Sequence, residues 1–472
     1  MIIMVQGPQS NWLRPFFFAL SPASAPACRN PNLHIEHLRE LDLRHLWHPY
    51  TDPALFQQEP YRCITRAQGV YLYDQDERPL FDGISSWWAT SLGHSRPELL
   101  KALHAQADVM QHSMLGNMSH APAVELAARL AQWAPGDLNR VYFAGDGSSA
   151  VEAAMKMALQ YWRNTGHGEK CRFIGLEGGY HGDTFGTMSV GYMGWFAGPY
   201  GSAITPALQA PSPACECCEV GEGLGPCALR ALKVLEQLLE EYGRQVAALL
   251  LEPVCQAAAG MRLYAPAYLK QARTLCDRYE VLLIADEIAV GFGRTGARFA
   301  CNLADVVPDV LCIGKALTGG YLPMSAAIAR DEIYEAFLNC EQSDRVFWDG
   351  HTYCGNPITS ALALAALDVF EKLNIPEDCD PQCRQLSAAF LELARLPAVC
   401  HSRTIGMIGM CRIGEEAGGA ARARRIAHMA WNHGLFIRSL GDVVYLWPPL
   451  VSTEAELAGM LTILRHAMQH TA

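Results

Sequence analysis

Two apolar runs each carry charge to their carboxyl end, Val281-Leu-Leu-Ile-Ala-Asp286-Glu287 and Val310-Leu-Cys-Ile-Gly-Lys315. A continuous apolar run marks a strand covered on both faces, and ligands of open α/β sheets gather where such strands end. A carboxylate and an amine at one rim suit pyridoxal 5'-phosphate chemistry. The amine attaches the carbonyl of the cofactor, and the carboxylate keeps its ring nitrogen protonated so that the ring can accept electrons. The plainer alternative is a pair of strand ends that face water.

A phosphate belongs where a glycine-rich turn opens a helix, because free N–H groups and the helix dipole both favour an anion there. Ala144-Gly145-Asp146-Gly147-Ser148-Ser149 supplies such a turn, between a strand expected at 140–143 and a helix expected from 148 to about 163. Gly147 admits close approach of the backbone, and Ser148 adds a hydroxyl. The turn is neither the Walker lysine loop nor the full dinucleotide-binding spacing. Gly179-Tyr180-His181-Gly182-Asp183 follows a strand expected at 171–174, and Tyr180 offers a ring for stacking on a planar cofactor. Outside this context it would read as an ordinary tyrosine in a turn.

These residues need a frame. Further strands are expected at 246–251, 310–313 and 325–329, with an amphipathic helix at 265–279 feeding the Val281 strand. Alternating strands and helices imply an α/β fold with a mostly parallel sheet, helices on both faces, and a smaller α+β domain built from both termini. The expected division is an N-terminal extension at 1–33, disordered or from a mis-assigned start, then the first part of the small domain at 34–93. A large domain at 94–366 follows, and 367–472 completes the small one. Within the small domain, 69–74 and 79–83 read as a hairpin and 443–446 as a strand. Helical patterns centre on Ala388, Ala421 and Leu457.

The chain has 472 residues, half of them hydrophobic and 18% charged, as expected of a globular protein with large buried surfaces. A net charge of −11 argues against a general nucleic-acid binder. No stretch approaches the ~20 apolar residues that span a bilayer. The Phe16-Phe-Phe-Ala-Leu run is too short, and too poor in preceding basic residues, for an export signal. Seventeen cysteines therefore imply reduced thiols and a cytoplasmic protein. Cys215, Cys217, Cys218 and Cys227 cluster in a Pro/Gly/Glu-rich stretch, but their spacing is not a standard zinc pattern. Free thiols on a surface loop are expected there, and no metal.

Read together with Asp286-Glu-Ile-Ala-Val-Gly-Phe-Gly-Arg-Thr-Gly296 and Gly314-Lys-Ala-Leu-Thr-Gly-Gly320, these motifs resemble the class III, fold-type I aminotransferases from about Leu46 to the C-terminus. The resemblance implies that Lys315 attaches pyridoxal 5'-phosphate and shuttles the proton, and that Asp286 partners the ring nitrogen. It further implies that Gly147 and Ser148 hold the phosphate and that Tyr180 stacks on the ring. It also implies a homodimer with shared active sites, in which Gly350-His351-Thr352 reaches the other subunit and Thr352 touches its phosphate. Arg294 belongs to the matched motif and is expected to support the architecture.

Leu46-Trp-His-Pro-Tyr50, Asp82-Gly-Ile-Ser-Ser-Trp-Trp88, Ile437-Arg438 and Val444-Tyr445-Leu-Trp-Pro-Pro449 are similar to the biotin-biosynthetic branch of that family. That likeness implies amino transfer from S-adenosylmethionine to 8-amino-7-oxononanoate. Arg438 would hold the far carboxylate in a bidentate contact, and Trp87 would wall the methylene chain. Tyr50, Gly350 and Tyr445 join them as expected substrate contacts, with Tyr180 and Lys315, and Tyr50 is also expected to be catalytic, near the reacting amine. Trp348-Asp-Gly-His351-Thr-Tyr departs from the branch pattern and resembles the wider family, which leaves lysine open as donor. A general ω-amino acid:pyruvate transaminase is the other alternative, and a noncatalytic scaffold a remote one.

Overall fold

The computed structural model describes residues 34–191, 198–214, 223–338, 345–414 and 418–471. The expected N-terminal extension and Cys215, Cys217 and Cys218 lie outside these, while Cys227 is half-buried at the start of a helix. The chain divides into two compact units, one formed by Met1–Arg66 with Tyr73–Arg78, the other by Ala67–Leu72 with Pro79–Ala472. In the first, two short helices, Ile35–His45 and Pro53–Gln58, are joined by a turn in which the Asp52 carboxylate accepts from Ala54 N at 2.9 Å. Such a cap satisfies helix N–H groups that have no intrahelical acceptor.

The second unit is built on a strand β1 (Pro79–Asp82) and then a seven-stranded sheet. Its strands and helices are β2 (Leu138–Ala144), α1 (Gly147–Asn164), β3 (Arg172–Leu176), β4 (Leu208–Ala210), α2 (Pro226–Tyr242), β5 (Val246–Leu251), α3 (Pro266–Arg278), β6 (Leu282–Asp286), β7 (Val310–Ile313) and β8 (Ser325–Arg330). The order across the sheet is β2-β8-β7-β6-β5-β3-β4, with β8 antiparallel to both neighbours and the pairs β7-β6, β6-β5, β5-β3 and β3-β4 parallel. Every residue of β5, β6 and β7 is buried, as their uninterrupted apolar sequences require. Each strand expected from the sequence is present within two residues of its anticipated ends, and the short edge strand β4 is an addition.

Beyond the sheet come helices α4 (Pro357–Lys372) and α5 (Asp380–Leu393), strands β9 (Val399–Ile405) and β10 (Ile408–Ile413), helix α6 (Gly419–Asn432), strands β11 (Leu435–Phe436), β12 (Ser439–Leu440) and β13 (Val443–Leu446), and helix α7 (Glu454–His470). A second sheet runs β9-β10-β13-β12, and β11 pairs in parallel with β1, so the segment after Pro79 meets the C-terminal third of the chain. Arg294 locks these parts together. It is fully buried, and its Nη1 donates to the carbonyls of Met407 at 3.1 Å and Pro448 at 2.7 Å. Burial without a carboxylate partner pushes its guanidinium down to about 9. No helix among the described residues is long and apolar enough to cross a membrane.

Candidate active site

Strand register carries the two charged residues to one place. β6 and β7 run parallel with Asp286 opposite Cys312, so Lys315 emerges just past the same rim, at the start of a tight turn spanning Lys315–Thr318. Lys315 itself has φ 43°. For a residue with a Cβ this left-handed conformation costs on the order of 1–2 kcal/mol, a strain that concentrates at functional sites. A cavity of about 330 Å³ opens at the rim, and Gly147, Ser148, Tyr180, Asp286 and Lys315 all line it. Five of the residues expected around the cofactor thus converge.

One end of the cavity suits an anion. α1 starts at Gly147, and its N-cap Asp146 accepts from Ser149 N at 3.0 Å and Ser149 Oγ at 2.9 Å. The first-turn N–H groups of Gly147 and Ser148 stand at the positive end of the helix, where no intrahelical acceptor exists. A Cβ on Gly147 would lie 3.0 Å from Ile288 Cδ1, and one on Gly182, whose φ is +125°, would lie 2.1 Å from Ser148 Oγ. Glycine at 182 keeps room for the Ser148 hydroxyl.

The other end is a buried acid–base cluster. Asp286 Oδ2 lies 2.8 Å from His181 Nδ1, and Oδ1 accepts from Ile288 N at 3.1 Å. His181 Nε2 is buried and has no hydrogen-bond partner among the described residues. Glu252, directly after β5, accepts from Tyr180 N and from Ala257 N, each at 3.0 Å. Burial, reinforced by the Asp286 charge, pushes Glu252 up to about 8. Burial also lowers the Lys315 amine below its usual value, against the pull of Asp286 and Glu252. Near neutral pH Glu252 therefore holds its proton, while Lys315 is shifted toward the free amine that a nucleophile or base requires.

Neither His181 nor Glu252 was singled out from sequence. Glu252 did carry the signal used for Asp286, an apolar run ending in an acid, and His181 sits beside Tyr180 in the quoted turn.

Trp88 walls the cavity, with Lys315 Nζ 5.3 Å from its ring centroid. It stacks on Trp447 at 5.1 Å and meets Tyr445 edge-on at 6.4 Å. Its neighbour Trp87 is 39% exposed, and Arg438 Cζ lies 4.5 Å above the Trp87 ring. Trp87, Arg438 and Tyr445 stand outside the cavity lining, and Tyr445 is buried behind Trp88. Gly350 and Thr352 are exposed and also outside the lining. Tyr50 belongs to the first compact unit, where it is exposed with φ 51°.

The sequence profile of the family Aminotransferase class-III matches residues 55–468. The chain belongs to this family. Among its class III relatives, the adenosylmethionine-8-amino-7-oxononanoate aminotransferase of Geobacter sulfurreducens is 38% identical over 439 residues, covering 90% of this chain and 96% of that protein. The crystal structure of the enzyme of that name from Methanocaldococcus jannaschii superposes with a TM-score of 0.87 at 33% identity, covering 93% of this chain and 99% of the other. A pyridoxal phosphate-bound amine transaminase from an uncultivated Pseudomonas species gives 0.85 at 30% identity over 91% of this chain and 99% of the other. The α/β, fold-type I architecture expected from sequence is that of these class III structures.

Class III aminotransferases depend on pyridoxal 5'-phosphate, and the cavity fits it. A helix N-terminus with a hydroxyl, a buried carboxylate, a lysine amine and flanking aromatic rings match its phosphate, ring nitrogen, carbonyl and ring faces.

Proposed function

We propose that this class III aminotransferase moves an amino group from S-adenosylmethionine to 8-amino-7-oxononanoate, giving 7,8-diaminononanoate for biotin synthesis. The observation that carries the reading is the pairing of Arg438 with Trp87, Cζ 4.5 Å from the ring, beside the cavity wall formed by Trp88. The acceptor is an amino ketone with a carboxylate at the far end of a methylene chain. Arg438 provides the fork for the carboxylate, Trp87 an apolar face for the chain, and the cavity a place for the reacting end.

Lys315 would hold pyridoxal 5'-phosphate, which when bound would supply an electron-accepting ring for the pair left when the donor's α-proton is removed. The chain's own groups do the rest. Asp286, oriented by His181, would hold the ring nitrogen, and Gly147 and Ser148 would hold the phosphate. Tyr180 would cover the ring, and the Lys315 amine, freed when the donor amine takes its place, would move a proton from the donor carbon to the cofactor and, in the second half-reaction, from the cofactor to the acceptor carbon.

We further infer a cytoplasmic homodimer. Trp348 and Tyr353 are 79% and 67% exposed on either side of Gly350 and Thr352, a segment suited to a partner's phosphate site. Asp349 anchors that segment, pairing with Lys156 Nζ at 2.7 Å and accepting from Tyr142 OH at 3.1 Å.

The test is product analysis with purified protein, 8-amino-7-oxononanoate, and S-adenosylmethionine, lysine or an ω-amino acid in turn. Diaminononanoate formed with S-adenosylmethionine supports the reading. Formation with lysine alone reassigns the donor, and an inert oxononanoate with active pyruvate overturns the acceptor.

A further inference from the structure

Ser85, Ser86, Trp87 and Trp88 have φ of 49°, 44°, 71° and 72°, four successive left-handed residues without a glycine among them. Each Cβ makes that conformation unfavourable, so something outside the turn must hold it. We propose that Asp82, acting with His94, is the positioning residue that holds this left-handed turn and so sets the two tryptophans for the acceptor. The proposal deepens the functional reading above and rests on it.

Asp82 is fully buried, and its carboxylate is saturated with donors. Oδ1 accepts from Ser86 N at 2.9 Å and Ile84 N at 3.4 Å. Oδ2 accepts from Ser86 Oγ at 2.7 Å and Thr90 Oγ1 at 3.4 Å, with His94 Nε2 at 2.8 Å. A carboxylate out of water demands such partners, and the turn is the conformation that brings Ser86 N and Oγ to it together. Ser85 Oγ adds a bond of 2.7 Å to the Trp447 carbonyl.

The same strand pair places the partner guanidinium. Asp82 ends β1 opposite Phe436 of β11, and Gly83 N donates to the Phe436 carbonyl at 2.9 Å. One strand therefore leads into the turn bearing Trp87, while its neighbour leads directly to Arg438. A Cβ at Gly83 would sit 2.9 Å from both Ile437 Cγ2 and the Phe436 carbonyl, so the two strands approach at glycine distance. Asp82 does not line the cavity. Its effect passes through Trp87, set against Arg438, and through Trp88, stacked on Trp447 in the wall.

The test uses the holoenzyme. Asp82→Asn replaces a charged acceptor by a neutral one and should raise KM for 8-amino-7-oxononanoate about tenfold, with the visible absorption of the bound cofactor retained. Ser86→Gly added to that variant should recover several-fold of the loss, because glycine takes the left-handed conformation without the Cβ penalty. Recovery by a residue that offers no side chain is not expected of a merely structural carboxylate. If Asp82→Asn does not fold, His94→Gln is measured with and without Ser86→Gly, with the same direction of effects. An unchanged KM in the single variant, or a double variant no better than the single, overturns the proposal. If the wild-type enzyme ignores the oxononanoate but turns over another ketone, the functional reading fails. KM for that ketone then tests Asp82 independently.

Discussion

His181 Nδ1 and Asp286 Oδ2 meet at 2.8 Å with both side chains buried. The other carboxylate oxygen accepts from Ile288 N at 3.1 Å. Replacing His181 with Phe strips a charge-assisted hydrogen bond worth about 1.5–3 kcal/mol. Cofactor affinity, measured by titrating the apoprotein and following visible absorption, should fall by about tenfold or more. Unchanged affinity would mean that Asp286 needs no such support.

Lys315→Ala should abolish the visible absorption of the attached cofactor and lower turnover by at least ~10²–10⁴-fold, the range set by loss of a positioned acid–base group. The circular dichroism spectrum should stay native. A retained absorption band would refute the assignment of this lysine.

Glu252 makes stability depend on pH. Its carboxyl is pushed from 4.5 up to about 8, so the folded state keeps a proton that the unfolded chain has already released across that interval. The group's contribution is fully present below pH 4.5 and is lost as pH rises toward about 8. Glu252→Gln cannot ionise, so the variant should gain on the wild-type apoprotein as pH climbs through this window. Thermal melts at several pH values measure the gap, and parallel curves would count against a raised Glu252.

Arg438→Ala should cut kcat/KM for the oxononanoate half-reaction by about 10–100-fold, the worth of a charged hydrogen-bond pair, while loading from the donor falls less. Single-turnover measurements of each half separate the two. Equal losses would assign Arg438 to a surface shared by both substrates.

Arg294→Lys retains the charge but ends one bond short of the Nη1 that donates to the Met407 and Pro448 carbonyls, and lacks the second nitrogen that reaches Ser91 Oγ. A loss of about 2 kcal/mol or more in unfolding free energy is expected, read by denaturant titration. Stability within error of wild type would remove Arg294 from the architecture.

Much of the cofactor site was legible because its signals are local. β5, β6 and β7 are buried on both faces, so their apolar runs are uninterrupted and their last residues stand out. The glycine–serine turn before α1 is likewise a short-range pattern. The left-handed turn was not legible. Ser-Ser-Trp-Trp contains no glycine or asparagine, and the bonds that hold its conformation run from Ser86 to Asp82 and from Ser85 to the distant Trp447 carbonyl.

The sequence alone determined that Asp286 and Lys315 follow buried strands, that a glycine–serine turn opens α1, the α/β order and the family, because side-chain periodicity and loop glycines record how each segment is buried. Only the tertiary structure set Arg438 over Trp87, His181 against Asp286, and Glu252 as a buried acid raised to about 8. Charge state and ring placement depend on desolvation and on neighbours from distant strands, and neither is a property of any single stretch of chain.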